Sequence, residues 1–192
     1  MANTGAPHFI PFVEPTDLVR EYPAADEASA FAVAAALDAA GGLVAVHSAI
    51  ETEVFSASVA ELSGVAIGDL SIPDVAVSDA ANRLIIYGYV GLAMGVTNQT
   101  FGIAPFDGTN YIGRGTNVGN RHATTAGGKD DQAASFVVAH APGDTTPRTY
   151  SLHILSVRGN GQTMRVNRQQ SDDDIASRQR TSSGLIIFEV KV

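Results

Sequence analysis

The sequence predicts a mainly β protein: an antiparallel β-sandwich, jelly-roll-like, preceded by an extended N-terminal arm and one short α-helix. From residue 43 onward, short runs rich in Val, Ile, Phe and Tyr alternate with turn residues, and no second helical pattern follows. Strands without intervening helices pair antiparallel. The 192 residues, 45% of them hydrophobic, suffice for one packed domain and an appendage. We therefore predict three parts: an anchoring arm (1–25), a helix with a glycine linker (26–42) and the sandwich (43–192).

The arm is predicted to be extended because Pro7, Pro11, Pro15 and Pro23 interrupt it. Proline lacks a backbone donor and restricts the residue before it to extended geometry. Apolar side chains on such an arm need a surface to cover them, and this surface belongs either to the arm's own domain or to a neighbouring subunit. The residues expected to bind a partner are Phe9, Ile10, Pro11, Phe12, Val13, Pro15, Leu18, Val19 and Tyr22.

A helix is predicted over residues 26–40. Asp26 can cap its start, Asp26 and Glu27 suit its positive end, and Gly41-Gly42 ends it. A thin apolar stripe at helical spacing makes the helix marginal alone, so we expect it to pack on the β domain, on its own copies around a symmetry axis or on a host surface. The predicted oligomer contacts are Ala30, Val33, Ala34 and Leu37.

Nine strands are predicted in the rest of the chain. In the last of them, Phe188, Val190 and Val192 are expected on the buried face and Glu189 and Lys191 on a solvated face. The predicted strands are 43–50, 65–72, 83–92, 100–105, 111–113, 134–140, 149–157, 162–167 and 185–192.

Two turn signals connect predicted strands. Gly159-Asn160-Gly161 predicts a hairpin between strands 149–157 and 162–167, because Asn-Gly accepts positive φ. Asp107-Gly108 predicts a turn between strands 100–105 and 111–113. The stretch from 114 to 129, rich in Gly, Asn and Thr, is predicted to be a long loop.

Composition excludes several classes of function. The net charge of −8 repels phosphate backbones, so no nucleic-acid partner is expected. The absence of Cys removes disulfides and thiolate zinc sites. We see neither a leader nor a membrane-spanning apolar run, and expect no membrane partner.

Catalytic motifs are also missing. The histidines have no metal-ligand spacing, and no Gly-x-Ser-x-Gly elbow is present, so we predict no catalytic residue, metal or cofactor and a protein that is not an enzyme. A polysaccharide depolymerase is the enzymatic alternative, and a converging metal site is the alternative for the histidines. These are His8, His47, His122, His140 and His153.

Aromatic residues give a second functional hypothesis. They can line a sugar-binding face on the sandwich, although such residues more often fill the core. The candidates are Tyr87, Tyr89, Phe101, Phe106 and Tyr111.

Several short stretches resemble tailed-bacteriophage virion proteins. Residues 15–19 (PTDLV) and 22–26 (YPAAD), running into an Ala-rich helix, resemble the start of head-decoration and tail-fibre proteins. Residues 78–86 (SDAANRLII) resemble a polar turn and strand of phage β-sandwich modules, and residues 166–168 (VNR) with 180–190 (RTSSGLIIFEV) resemble their closing hairpin. Gly184 departs from the pattern, since a β-forming residue is expected there.

This resemblance implies a homotrimer on the virion surface, assembled in the host cytoplasm. Its N-terminal part would bind the major capsid protein or another virion protein while the sandwich projects outward. We therefore expect a capsid decoration (minor capsid) protein, because a tail fibre needs a long shaft that this short chain lacks. The alternative is a tail-fibre or receptor-binding module that contacts host surface glycan.

Overall fold

A computed structural model of the chain describes residues 42–60, 63–94, 100–116, 123–129, 132–156, 162–168 and 181–192. It divides the chain into Met1–Leu43 and Val44–Val192, and nearly all described residues belong to the second unit. The predicted arm and helix, with every partner-binding and oligomer-contact residue predicted on them, lie outside the described residues.

The second unit is mainly β. Its described residues contain strands and no helix, so none of them belongs to a helix long and apolar enough to span a membrane. The strands are β1 (Leu43–Glu51), β2 (Phe55–Val59), β3 (Gly64–Val75), β4 (Arg83–Met94), β5 (Thr100–Phe106), β6 (Ala126–Lys129), β7 (Gln132–His140), β8 (Arg148–Ser156), β9 (Gln162–Val166) and β10 (Ser183–Val190).

Six strands form the larger sheet, in the order β1-β10-β4-β9-β2, with β7 on the other edge of β4. Antiparallel β10 runs along residues 83–90 of β4, and antiparallel β7 pairs with nearly the same residues, so the two lie on opposite edges. Strand β9 pairs with Ala93 and Met94. Strand β9 therefore lies on the same edge of β4 as β10, just beyond the first residue of β10. Strand β2 pairs with the other edge of β9.

The smaller sheet has four antiparallel strands in the order β3-β8-β5-β6. Side chains alternate across each strand, and the inward-facing ones of both sheets form one hydrophobic core. Leu84 and Ile86 of β4 and Leu152 and Ile154 of β8 all belong to it and are at most 1% exposed. Two antiparallel sheets that share a core are consistent with a β-sandwich.

Eight predicted strands are present with shifted ends, whereas Tyr111 forms only an isolated bridge with Phe106. The predicted hairpin between strands 149–157 and 162–167 is wrong: β8 lies in the smaller sheet and β9 in the larger one. Both edges of β8 are occupied, by β3 and β5, so β9 must pair elsewhere. The Asn-Gly turn itself lies outside the described residues.

Strands β2 and β6 were not predicted. Strand β6 lies within the stretch predicted to be a loop. Its Gly127 and Gly128 are typical of loops, so the sequence gives no strand pattern there. A Cβ on Gly127 would lie 2.5 Å from the Phe101 carbonyl oxygen, so the close approach of the two strands requires glycine there.

The final strand faces the opposite way from the prediction. Glu189 lies opposite Leu84 on the core side of the sheet and is 2% exposed, whereas Phe188 lies opposite Ile85 on the outer side. Gly184 lies within β10 and pairs with Tyr89. A Cβ there would meet the Tyr89 ring, so this aromatic ring occupies the space of the missing side chain.

Candidate functional site

The densest group of aromatic and titratable side chains in the described part of the chain lies on the outer face of the smaller sheet. We call it the His153 cluster; it consists of Phe106, Tyr111, Arg114, Ser151 and His153. Alternation along β8 creates half of it, because Tyr150 and Leu152 point into the core and leave Ser151 and His153 on the outer face.

A tight turn supplies the other half. One carboxylate oxygen of Asp107, Oδ1, accepts hydrogen bonds from the backbone N–H groups of Thr109 (2.9 Å) and Asn110 (2.6 Å). Gly108 takes a φ of 89°, a conformation that favours glycine. The chain reverses, and Phe106 and Tyr111 become bridge partners. The turn predicted at Asp107-Gly108 is therefore confirmed.

The Tyr111 side chain lies across the outer face of the sheet. Its hydroxyl is 3.0 Å from Nδ1 of His153 on β8, and a Cβ on Gly64 of β3 would collide with the same hydroxyl. Nε2 of His153 is 3.0 Å from the Ser151 hydroxyl. The imidazole therefore joins two hydroxyl groups, with donor and acceptor roles that depend on its tautomer.

Ring contacts pack the cluster from the sides. The Phe106 ring centroid is 5.0 Å from that of Tyr111 and 4.8 Å from that of His153, within the range of favourable aromatic pairs. The guanidinium of Arg114 lies 4.8 Å from the Tyr111 ring centroid, which is a cation–π geometry. The face of Tyr111 thus already has a cation on it.

Burial sets the charge of these groups. It lowers the pKa of His153 to about 4, so the imidazole is neutral at neutral pH. Burial also raises the pKa of Tyr111, against the opposing effect of the Arg114 charge. The phenol therefore remains protonated, and Arg114 is the charged member of the cluster.

The Ser151–His153 distance is that of a nucleophile and its base, but the surroundings do not favour nucleophilic catalysis. The other ring nitrogen contacts a neutral phenol, which cannot stabilise an imidazolium as a carboxylate does. Ser151 is only 7% exposed, and the low pKa makes His153 a weak base. The arrangement suits packing and contact rather than acyl transfer.

A second polar group lies at the β7–β8 connection. Arg148 donates to Asp144 Oδ2 at 2.8 Å and to the Pro142 carbonyl oxygen at 3.3 Å. The His140 ring lies edge-on to Tyr150, 6.0 Å between centroids, and burial is the main cause of the lowered pKa of His140. This group ties a connecting loop to β8.

Two buried polar networks hold connections in place. Oε1 of Glu189 accepts from the backbone N–H of Ser78 (2.6 Å), the Ser78 hydroxyl (2.8 Å) and the Asn82 amide (2.6 Å). Burial acts to raise the pKa of Glu189, but these hydrogen bonds outweigh it and the pKa is lowered. The network fastens the β3–β4 connection to β10.

The second network surrounds Asn167, which is fully buried with a φ of 63°. Its amide nitrogen donates to the carbonyl oxygens of Glu51 and Glu53, both at 3.0 Å, and its Oδ1 accepts from the Ser183 hydroxyl at 2.6 Å. The end of β9, the β1–β2 connection and the start of β10 meet there. Both networks are structural.

The structure separates the aromatic residues that the sequence proposed for one sugar-binding face. Phe106 and Tyr111 adjoin in the His153 cluster, Tyr87 and Tyr89 form a pair 5.7 Å apart on the larger sheet, and Phe101 is 2% exposed in the core. Arg114 and Ser151 were not predicted as site residues from the sequence. The Ser-x-His spacing at 151–153 within an alternating strand was the available signal for Ser151.

The histidines do not converge. His47, His140 and His153 lie on β1, β7 and β8, within strands as predicted, while His8 and His122 lie outside the described residues. Across the described ranges, no group of three His, Asp or Glu side chains is placed to hold a metal ion.

No family model and no curated protein matches the chain.

Proposed function

We propose that this protein is a structural virion protein, a capsid decoration (minor capsid) protein of a tailed bacteriophage. Its N-terminal arm binds the capsid surface and its β-sandwich, with jelly-roll-like strand connections, projects outward. It acts as a homo-oligomer, for which the sequence resemblance implies a trimer. The proposal includes neither catalysis nor a cofactor.

One observation carries this proposal: the buried polar side chains of the sandwich are used to hold the fold. Glu189 accepts hydrogen bonds from Ser78 and Asn82 in the β3–β4 connection. Asn167 donates to the carbonyl oxygen of Glu51 and accepts from Ser183 at the start of β10. Glu51 accepts from the backbone N–H groups of Glu53 and Asp69. Polar groups arranged in this way support a rigid exposed module rather than a reaction centre.

The experiment tests attachment to particles. Phage particles from a culture that produces this chain are purified, stripped of it and mixed with either the full chain or a variant lacking residues 1–25. We expect the full chain to co-sediment with the capsids and the truncated one to remain in the supernatant with its β circular dichroism intact. Full binding by the truncated variant contradicts the anchor, and binding of the full chain to tails alone contradicts the capsid location.

The second candidate function is a receptor-binding module that contacts host surface glycan. The adjoining rings of Phe106 and Tyr111 beside Arg114 favour it, because aromatic rings and a cation suit acidic sugars. A glycan array is the test. Glycan binding that Tyr111→Ala abolishes, and Tyr87→Ala on the other sheet leaves intact, supports this candidate; an array without a hit counts against it.

A further inference from the structure

The outer face of the larger sheet is apolar over four adjacent strands, β1, β10, β4 and β7. Ile86 of β4 faces the core and pairs with Ile187, so the neighbouring pair Ile85 and Phe188 faces outward. The same alternation places Tyr87 and, opposite it on β7, Val137 on this side. On β1, Ala49 packs against the core, so Val44 and Ile50 point outward. We call this surface the outer sheet face.

Large apolar side chains are exposed on the outer sheet face. Val137 is 67% exposed, Val44 39% and Ile50 38%. Single exposed valines are ordinary, but these three residues lie on the two outer strands of one surface, on either side of half-buried Ile85 and Tyr87 and of Phe188, which is 8% exposed. Such a surface is typical of a protein contact.

Charge is nearly absent from this face. Among the outward positions of the four strands, the one charged residue is Arg83, which lies at the first position of β4. A second copy that meets this face therefore buries almost no charge and creates almost no repulsion between like charges.

The size of the face also suits a second copy. Four strands about 4.8 Å apart and roughly eight residues long, at about 3.3 Å per residue, present on the order of 500 Å². Two such faces in contact bury roughly 1,000 Å², near the lower limit for a specific protein interface.

We propose that the outer sheet face binds the same face of a second copy of this chain. One patch that meets itself gives a twofold contact. The contact forms a dimer where no other association exists, and it joins two trimers into a hexamer where a trimer forms through another part of the chain. This inference does not depend on the virion assignment.

The test is the molar mass of the full chain, measured by size-exclusion chromatography with light scattering at several concentrations. The wild-type mass is expected to be that of a dimer or hexamer. Val137→Glu places a charge opposite its own copy in the contact and is expected to halve the mass; because Val137 is largely exposed, the fold is retained, as circular dichroism checks. Val44→Glu, on the far strand of the face, is expected to do the same.

Thr149→Glu is the matched control, since it adds the same charge at an exposed strand position on the smaller sheet. It is expected to leave the mass unchanged. A monomeric wild-type chain overturns the proposal, as does a Val137→Glu variant with the wild-type mass. Cross-links from Tyr87 to residues 1–41 of the same molecule also overturn it, because they assign the face to that segment.

Discussion

The two sheets differ in how their outer faces are covered. On the smaller sheet, outward-facing Ala104 and Leu155 are 0% exposed, and the Tyr111 side chain lies across the strands to reach His153. On the larger sheet, outward-facing Val137 is 67% exposed. One face is covered by a segment of its own unit, and the other keeps apolar side chains at the surface on its strands β1 and β7.

The difference is visible in residue size. Beneath the Tyr111 side chain the smaller sheet presents Gly64, Ala66 and Ala104, which leave room for a ring. The larger sheet presents the exposed Val44, Ile50 and Val137 at outer positions of β1 and β7. Small residues on an outer face thus mark an intramolecular cover, whereas large apolar ones mark a face that suits another molecule.

The largest effect is expected from the buried carboxylate of β10, the strand that places its charge inward and Phe188 outward. Glu189→Ala leaves the Ser78 and Asn82 donors without their acceptor, and the free energy of unfolding should fall by about 4 kcal/mol. Urea unfolding at neutral pH measures it. Glu53→Ala removes an exposed carboxylate and should cost less than about 0.5 kcal/mol; equal losses in the two variants would show that the network is not stabilising.

The covered face should be sensitive to acid. The pKa of His153 is lowered from 6.5 to about 4, so the folded state resists a proton that the unfolded chain accepts. The stabilisation is complete above pH 6.5 and is lost as the pH falls to 4. Because the ring is partly accessible to water, solvent screening reduces the expected loss to between about 1 and 3 kcal/mol. Urea unfolding at several pH values should show this loss in the wild type and a smaller one in His153→Gln. Parallel pH profiles in the two proteins would contradict the shift.

Much of the β architecture was predictable because alternation and turn residues are local signals. Strands β4, β5, β7 and β8 follow from runs of Val, Ile, Phe and Tyr, and the turn at Asp107 follows from its side-chain acceptor. The orientation of β10 was not predictable from the same rule. Both faces of that strand carry apolar residues, and the partners of Glu189 lie more than 100 positions away in the chain.

The candidate site was only partly predictable for the same reason. Tyr111 and Phe106 were recognised as aromatic candidates, but their meeting with His153 depends on β8 pairing beside β5. The hairpin predicted at Asn160 fails on this point, since pairing across sheets is decided by which strand edges remain free. The arm and helix, which carry the predicted partner contacts, lie outside the described residues.

A smaller effect is expected from filling the space under Tyr111. A Cβ at Gly64 would collide with both the Tyr111 hydroxyl and the Leu155 side chain, so Gly64→Ala should lower the free energy of unfolding by about 2 kcal/mol. Gly42→Ala is the control, because no atom lies within 4 Å of a Cβ at Gly42. Thermal unfolding of the two variants makes the comparison. A melting temperature unchanged by Gly64→Ala would show that the Tyr111 side chain is packed against β3 less tightly than its distance from Gly64 indicates.

The smallest effect on stability is expected on the uncovered face. Val137→Ser removes an apolar side chain that is 67% exposed, so at protein concentrations low enough to keep the chain dissociated the free energy of unfolding should change by less than about 0.5 kcal/mol. At high concentration the wild type should gain stability from association and the variant should gain less, because binding to the folded state raises its apparent stability. Urea midpoints measured over a hundredfold range of concentration separate the two. A loss in the variant that is equally large at every concentration would mean that Val137 supports the fold itself, and that the two outer faces differ less than their exposure indicates.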